Sequence, residues 1–121
     1  MGQSILQGNG SNFNKMVHCF TNKDNEDVGT IESEILNSNG KSVTYVITIS
    51  LINSSYTWGN STIYGSNDKE QWDELATVGS GNTTYRELKS GTLNGYKYYK
   101  GAVLVSNNNN FATALIYVNE N

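Results

Sequence analysis

The chain has 121 residues, of which 36% are hydrophobic and 16% are charged, and its formal net charge is -3. This length suits one domain, and the composition differs from that of a disordered polyelectrolyte. No apolar run reaches the ~18 residues that cross a bilayer, so we expect no membrane insertion. The eight Lys and Arg residues are scattered along the chain. Nucleic-acid-binding domains usually carry clustered basic residues, so we expect no nucleic-acid partner.

Residues 1–15 are polar and rich in Gly and Asn, and they are predicted to form an arm ahead of a single domain, 16–121. The first residues lack the basic and apolar segments of a secretory signal, so none is expected. A virion, or the cell exterior after lysis, is a location compatible with this start.

The first strand is predicted at Met16–Phe20. It contains the neighbours His18 and Cys19, which could suggest a catalytic dyad. Adjacent residues on a strand point to opposite faces, so the two side chains are not expected to meet.

A strongly polar loop follows the first strand. Its Asp24, Glu26 and Asp27 carry the hard oxygen ligands that calcium prefers, and they are candidate ligands for a structural calcium ion. The spacing lacks the Gly and Glu of an EF-hand loop, so a solvated acidic loop is the alternative interpretation.

The next segments carry the clearest strand pattern. Thr30–Leu36 is predicted as a strand, and Asn39-Gly40 is a strong hairpin signal before the strand that follows. That strand has period-two alternation, which predicts one buried face made of Val43, Tyr45, Ile47, Ile49 and Leu51.

The second half of the chain predicts further strands at Trp58–Ser66, Trp72–Val78, Tyr85–Leu88, Tyr96–Ser106 and Phe111–Val118. In the last of these, Ala112, Ala114, Ile116 and Val118 share one face. About eight strands with turns every ~8–12 residues predict an all-β sandwich or barrel. The alternating faces favour antiparallel pairing.

Three segments of the second half resemble one known family. They are Ile63-Tyr64-Gly65-Ser66-Asn67-Asp68 followed by Trp72, then Tyr96-Lys97-Tyr98-Tyr99-Lys100, then Ala112–Val118. In this order they resemble the discoidin, or coagulation factor 5/8 type C, branch of the galactose-binding-like sandwiches. The resemblance implies a jelly-roll β-sandwich that binds a ligand without catalysis. The family usually has a calcium-binding Glu where this chain has Leu115, and that difference argues against the calcium site.

A carbohydrate site is predicted from aromatic and polar residues in loop-like stretches. Tyr56 and Trp58 could form the platform for the apolar face of a sugar, with Arg86 and Asn108 as hydrogen-bonding groups at its rim. The resemblance implies that such loops cluster at one end of the sandwich. The alternative is that Trp58 belongs to the core and the Asn-rich loop is only a turn.

Two functions are therefore expected, neither of them enzymatic. Asp73 and Glu74 point to opposite faces of a strand, and Glu32 and Glu34 share a face but lack a basic or apolar setting that would tune a general acid. Catalysis and a catalytic cofactor are therefore not expected. The first expectation is a module that binds a glycan or cell-surface polysaccharide. The second is a structural or decoration subunit with protein partners in a larger particle, such as a phage virion.

Overall fold

The computed structural model describes residues 16–22, 29–51, 59–79, 86–105 and 110–120. Within these ranges the chain forms nine β-strands: β1 (Met16–Asn22), β2 (Gly29–Glu32), β3 (Leu36–Asn37), β4 (Val43–Leu51), β5 (Gly59–Ser66), β6 (Asp73–Val78), β7 (Arg86–Leu93), β8 (Tyr98–Val105) and β9 (Asn110–Val118). No helix in these ranges is long and apolar enough to cross a membrane.

The strands form two antiparallel sheets. The first sheet has the order β1-β9-β4-β7, and the second has the order β2-β8-β5-β6, with β3 also paired to β8. Because β2 and β3 share one position beside β8, the nine strands fill eight positions. Every connection between consecutive strands passes from one sheet to the other, except those from β2 to β3 and from β5 to β6, which stay in the second sheet. This is the strand order of a jelly roll, and it confirms the antiparallel β-sandwich.

The core lies between the two sheets and follows the predicted alternation. On β4, Val43, Tyr45, Ile47 and Ile49 are buried, and on β9 the inward residues Ala112, Ala114, Ile116 and Val118 are buried. The second sheet contributes Ile63, Ala76, Val78, Tyr99 and Val103. Leu51 was predicted for the same face, but its side chain lies outside the described part of the structure.

The predicted strand at Thr30–Leu36 is interrupted. It divides into β2 and β3, with residues 33–35 between them. Ser33 causes the interruption, because its backbone N donates to Gly101 O at 2.8 Å while its Oγ accepts from Gly101 N at 2.8 Å. A side-chain hydroxyl thus replaces a backbone carbonyl at this point in the ladder with β8.

The prediction of a hairpin at Asn39-Gly40 is wrong, although the turn itself is present. Asn39 and Gly40 have φ angles of 55° and 80°, a pair of left-handed values that Asn and Gly tolerate best. However, β3 pairs with β8 and β4 pairs with β7 and β9, so the turn joins two different sheets.

The buried Ser38 forms hydrogen bonds between this turn and a segment that is distant in sequence. Its Oγ lies 3.0 Å from both Tyr96 O and Lys97 O, and its backbone N donates to Lys97 O at 2.8 Å. These contacts hold Tyr96 and Lys97 outside the β8 ladder, so β8 begins at Tyr98 rather than at the predicted Tyr96.

Strand β7 is longer than the predicted Tyr85–Leu88. It continues to Leu93, because its residues pair with β4 along nearly the whole length of that strand, from Ser50 opposite Arg86 to Val43 opposite Leu93. Most side chains of β7 are exposed, so the segment has few apolar residues and the sequence pattern did not show the full length of the strand.

The two sheets approach each other closely between β8 and β9. A Cβ atom placed on Gly101 would lie 2.8 Å from the Cβ of Ala114. Such a distance is too short for two methyl groups, so the pair of small residues sets the spacing of the sandwich at this point.

Candidate functional site

Most of the site residues predicted from the sequence lie outside the described residues. Tyr56, Trp58 and Asn108 of the predicted sugar site are among them, as are Asp24, Glu26 and Asp27 of the predicted calcium site. Arg86 is described: it is exposed and begins β7. Among the described residues there is no group of three His, Cys, Asp or Glu side chains suited to a metal ion.

The strand register shows where the chain enters and leaves the segments that carry these residues. Asn22 lies opposite Phe111, Gly29 opposite Val105, and Ser50 opposite Arg86 and Phe111. Gly59 lies opposite Val105 as well. All of these strand ends are therefore at one end of the sandwich.

A shallow pocket of about 280 Å³ opens at this end, between the last residues of β4 and the first of β7. It is lined by Thr48, Ile49, Ser50, Arg86, Glu87 and Leu88. Glu87 Oε1 accepts from Gly79 N at 2.7 Å. This bond ties the end of β6 in the second sheet to the start of β7 in the first.

The outer face of the first sheet is almost without charge. We define this face by the outward residues of three strands, which alternate with buried or inward ones: Thr44, Val46, Thr48 and Ser50 of β4; Arg86, Leu88, Ser90 and Thr92 of β7; and Thr113, Leu115 and Tyr117 of β9. Arg86 is the one charged residue among these described side chains. Leu88 is 68% exposed, whereas Ile31 and Ile35, the other exposed large hydrophobic residues of the described ranges, are each 45% exposed.

Strand β7 also forms an edge of the first sheet. It pairs with β4 on one side, and no described strand pairs with it on the other. Its inward positions at this edge are occupied by Glu87 and Lys89, both exposed, opposite the buried Ile49 and Ile47 of β4. Charged residues that point inward at an edge hinder the addition of any strand that cannot pair with those charges.

The outer face of the second sheet carries a cluster of lysines and aromatic rings. Lys100 Nζ lies 4.5 Å from the ring centroid of Trp72 and 5.8 Å from that of Tyr64. The same ammonium group lies 3.3 Å from Glu32 Oε1. Lys69 Nζ lies 4.8 Å from the centroid of Tyr98. These distances are those of cation–π pairs, so each lysine lies over one face of its ring.

The turn that follows β5 is fixed by its own side chains. Ser66 Oγ accepts from Lys69 N at 2.8 Å, and Asp68 Oδ1 accepts from Glu70 N and Gln71 N at 2.8 and 2.9 Å. The bonds from Gln71 and then Glu70 hold the pKa of Asp68 below 3.8. Across this end, Tyr96 Oη donates to Asp73 Oδ2 at 2.8 Å, which raises the pKa of Tyr96.

A second pocket, of about 410 Å³, lies beside Tyr98 at the end of the sandwich opposite to the first. It is lined by Asn37, Asn39, Gly40, Lys97 and Tyr98. Asn37 Oδ1 accepts from the backbone N of Asn39 at 2.9 Å, which fixes the side-chain amide of Asn37 against the turn. The pocket therefore combines an aromatic ring, two amides and a lysine.

The uncharged face, the β7 edge and the Tyr98 pocket were not predicted as sites from the sequence. Each depends on register: Tyr98 lies opposite Asn37 and Ser66, although 61 and 32 residues separate it from them. One signal was available for the face, since Val46 breaks the polar alternation of β4 with an apolar residue.

No family model and no curated protein matches this chain. Among solved structures it is similar to a chain in the structure of the infectious bursal disease virus Gt strain, with TM-score 0.44 and 11% identity over 86% of this chain. The Gx strain structure gives TM-score 0.44 and 10% identity over the same share. The match spans 32% of each viral chain. Similarity at this level identifies neither family nor function, and the fold assignment rests on the strand order of the chain itself.

Proposed function

We propose that this chain is a non-catalytic structural subunit that assembles with further copies of itself, as in a larger particle such as a phage virion. The observation that carries the proposal is the outer face of the first sheet, with Val46, Leu115 and Tyr117 at its centre and Leu88 exposed at its side.

The side chains of this outer face are poorly solvated by water. Well-behaved soluble surfaces carry both signs of charge, at roughly 25–35% of their residues. The described outer face has one charged side chain, at one end. Depletion of charge together with exposed apolar and aromatic side chains is typical of the buried centre of a protein interface. A further copy packed on the centre of this face would bury these apolar and aromatic groups, and no charged side chain would have to lose its hydration there.

We expect the full chain to self-associate in sedimentation experiments, and Leu115→Lys to weaken that association at least about tenfold. The substitution places a charge at the centre of the outer face, where burial would cost free energy. Leu104→Lys is the matched control: Leu104 is also a partly buried outward leucine, on β8 of the second sheet, and its substitution should leave association unchanged.

Equal effects of the two lysine variants, or a wild type that stays monomeric at every concentration, would contradict the proposal. Thermal melts of both variants show whether each is folded, so that a loss of association is not mistaken for a loss of structure.

A second candidate function is carbohydrate binding, and the pocket beside Tyr98 favours it. A sugar presents an apolar face to an aromatic ring and a rim of hydroxyl groups to amides, and Tyr98, Asn37 and Asn39 offer these groups together. This position differs from the predicted site at Tyr56, Trp58, Arg86 and Asn108, so the two proposals can be separated.

If the Tyr98 pocket binds a glycan, Tyr98→Ala should weaken binding on a glycan array by about thirtyfold, which corresponds to ~2 kcal/mol. Trp58→Ala should then retain binding. The reverse result would move the site to the predicted loops, and an array on which the wild type binds nothing would remove this second candidate.

A further inference from the structure

The edge strand β7 has a sequence that can pair with itself. Its exposed residues Arg86, Glu87, Leu88, Lys89 and Ser90 follow one another on the side of β7 with which no described strand pairs. An open edge presents backbone N–H and C=O groups to any further strand of suitable sequence. The side chains that would lie opposite each other therefore determine which strand can pair with this edge.

Two antiparallel strands related by a two-fold axis pair their residues symmetrically about one central residue. With Leu88 at the centre, Leu88 lies opposite Leu88 of the second copy. Glu87 then lies opposite Lys89 of the second copy, and Lys89 opposite its Glu87. Both ion pairs lie on the inward side and the leucine pair on the outward side.

Other registers lose this complementarity. A centre at Glu87 places two carboxylates opposite each other, and a centre at Lys89 places two ammonium groups opposite each other. A centre at Ser90 sets Lys89 against Gly91 and leaves each charge without an opposite charge. Cross-strand opposite charges stabilise a pair and like charges destabilise it, so one register is favoured over its neighbours.

We infer that two copies of this chain join through β7, antiparallel and centred on Leu88, and form one continuous eight-stranded sheet. This inference rests on the proposed self-association and adds a second contact, at the sheet edge, to the one on the outer face. Glu87 is already oriented by its bond to Gly79 N, so its second oxygen is the acceptor for Lys89 of the other copy. Joining the edges also places the two uncharged outer faces side by side.

Charge reversal tests the register. Lys89→Glu alone sets Glu against Glu87, and Glu87→Lys alone sets Lys against Lys89, so each variant should dimerise at least about tenfold more weakly than the wild type. An equal mixture of the two variants restores both opposite-charge pairs, and the mixture should dimerise like the wild type. The double variant Glu87→Lys/Lys89→Glu should do the same.

A distance measurement keeps the inference testable if Glu87→Lys unfolds through loss of its contact with Gly79. Nitroxide labels on Leu88→Cys, in a Cys19→Ser background, should lie close together, since directly opposed Cβ atoms are ~5 Å apart. Labels on the matched Thr92→Cys variant should lie ~27 Å apart, because eight residues separate the two positions at ~3.4 Å each.

The outcomes separate this inference from the proposed function. If the wild type associates and Leu115→Lys weakens it, but neither charge reversal does, the register is wrong and the structural role stands. If charge reversal weakens association and Leu115→Lys does not, the β7 contact is right and the outer face is not an interface. A wild type that remains monomeric overturns both.

Discussion

Replacing Ile47 by alanine should lower the free energy of unfolding by about 2–5 kcal/mol. Ile47 lies in the middle of β4, is fully buried, and is paired on one side with Lys89 of β7 and on the other with Ala114 of β9. Truncation removes three carbon atoms from the centre of the sandwich. The surrounding strands are held by hydrogen bonds on both sides of β4, so they can close little of the cavity. Urea unfolding monitored by circular dichroism measures the loss.

Leu88→Ala is the matched control, because it removes the same three carbon atoms from a side chain that is 68% exposed. At a protein concentration at which the wild type is monomeric, this change should stay within about 0.5 kcal/mol. A loss below that value for Ile47→Ala as well would mean that β4 is placed in the wrong register.

Gly101→Ala should destabilise the protein by about 1–3 kcal/mol, although alanine is normally tolerated better than glycine in a strand. The added Cβ would lie 2.8 Å from the Cβ of Ala114, so β8 and β9 must move apart or the methyl groups must clash. Either response disturbs the packing of the two sheets. Thermal or urea unfolding measures the change.

A second substitution, on β9, should relieve the clash. Ala114→Gly removes the methyl group that the new Cβ would meet, so the double variant Gly101→Ala/Ala114→Gly should be more stable than the sum of the two single changes predicts, by about 1 kcal/mol or more. Ala112→Gly, at another fully buried alanine of β9, should show no such coupling with Gly101→Ala. Simple additivity in both pairs would mean that the close approach is not the source of the loss.

Strands that are buried on one face could be predicted from the sequence. The alternation on β4 and β9 correctly indicated which residues enter the core, from Val43 to Ile49 and from Ala112 to Val118. The pattern is informative there because a half-buried strand must alternate. Strands β5 and β6 were also predicted, and they pair directly because they are neighbours in sequence.

The rest depends on contacts between residues that are far apart in sequence. The Asn39-Gly40 turn has the dihedral angles of a hairpin, but the partner of the strand before it is β8, some 60 residues away. Likewise, the break at Ser33 depends on the backbone of Gly101. Local sequence describes a turn correctly and does not determine which strands it joins.

The candidate sites were the least predictable part. The resemblance to discoidin-type domains, the loop residues Tyr56, Trp58 and Asn108, and the acidic residues Asp24, Glu26 and Asp27 stay predictions. The surfaces that the structure adds arise from register: Lys100 reaches Trp72 and Tyr64 because β5, β8 and the turn after β5 are adjacent. The β7 edge could not be recognised from the sequence, because the position of β7 at the side of the first sheet follows from the strand order.

The strand order has a consequence for the synthesis of this protein. Strand β9, Asn110–Val118, lies between β1 and β4 in the first sheet. Among the described strands, β1 and β4 are therefore synthesised before the strand that joins them, and β4 is synthesised before both of its partners, β7 and β9. Nascent chains in this condition expose apolar strand edges and fold slowly. The first sheet can be completed only once residues 110–118 have been synthesised. A chain that stops before residue 110 would keep the β4–β7 ladder but have nothing to attach β1 to it.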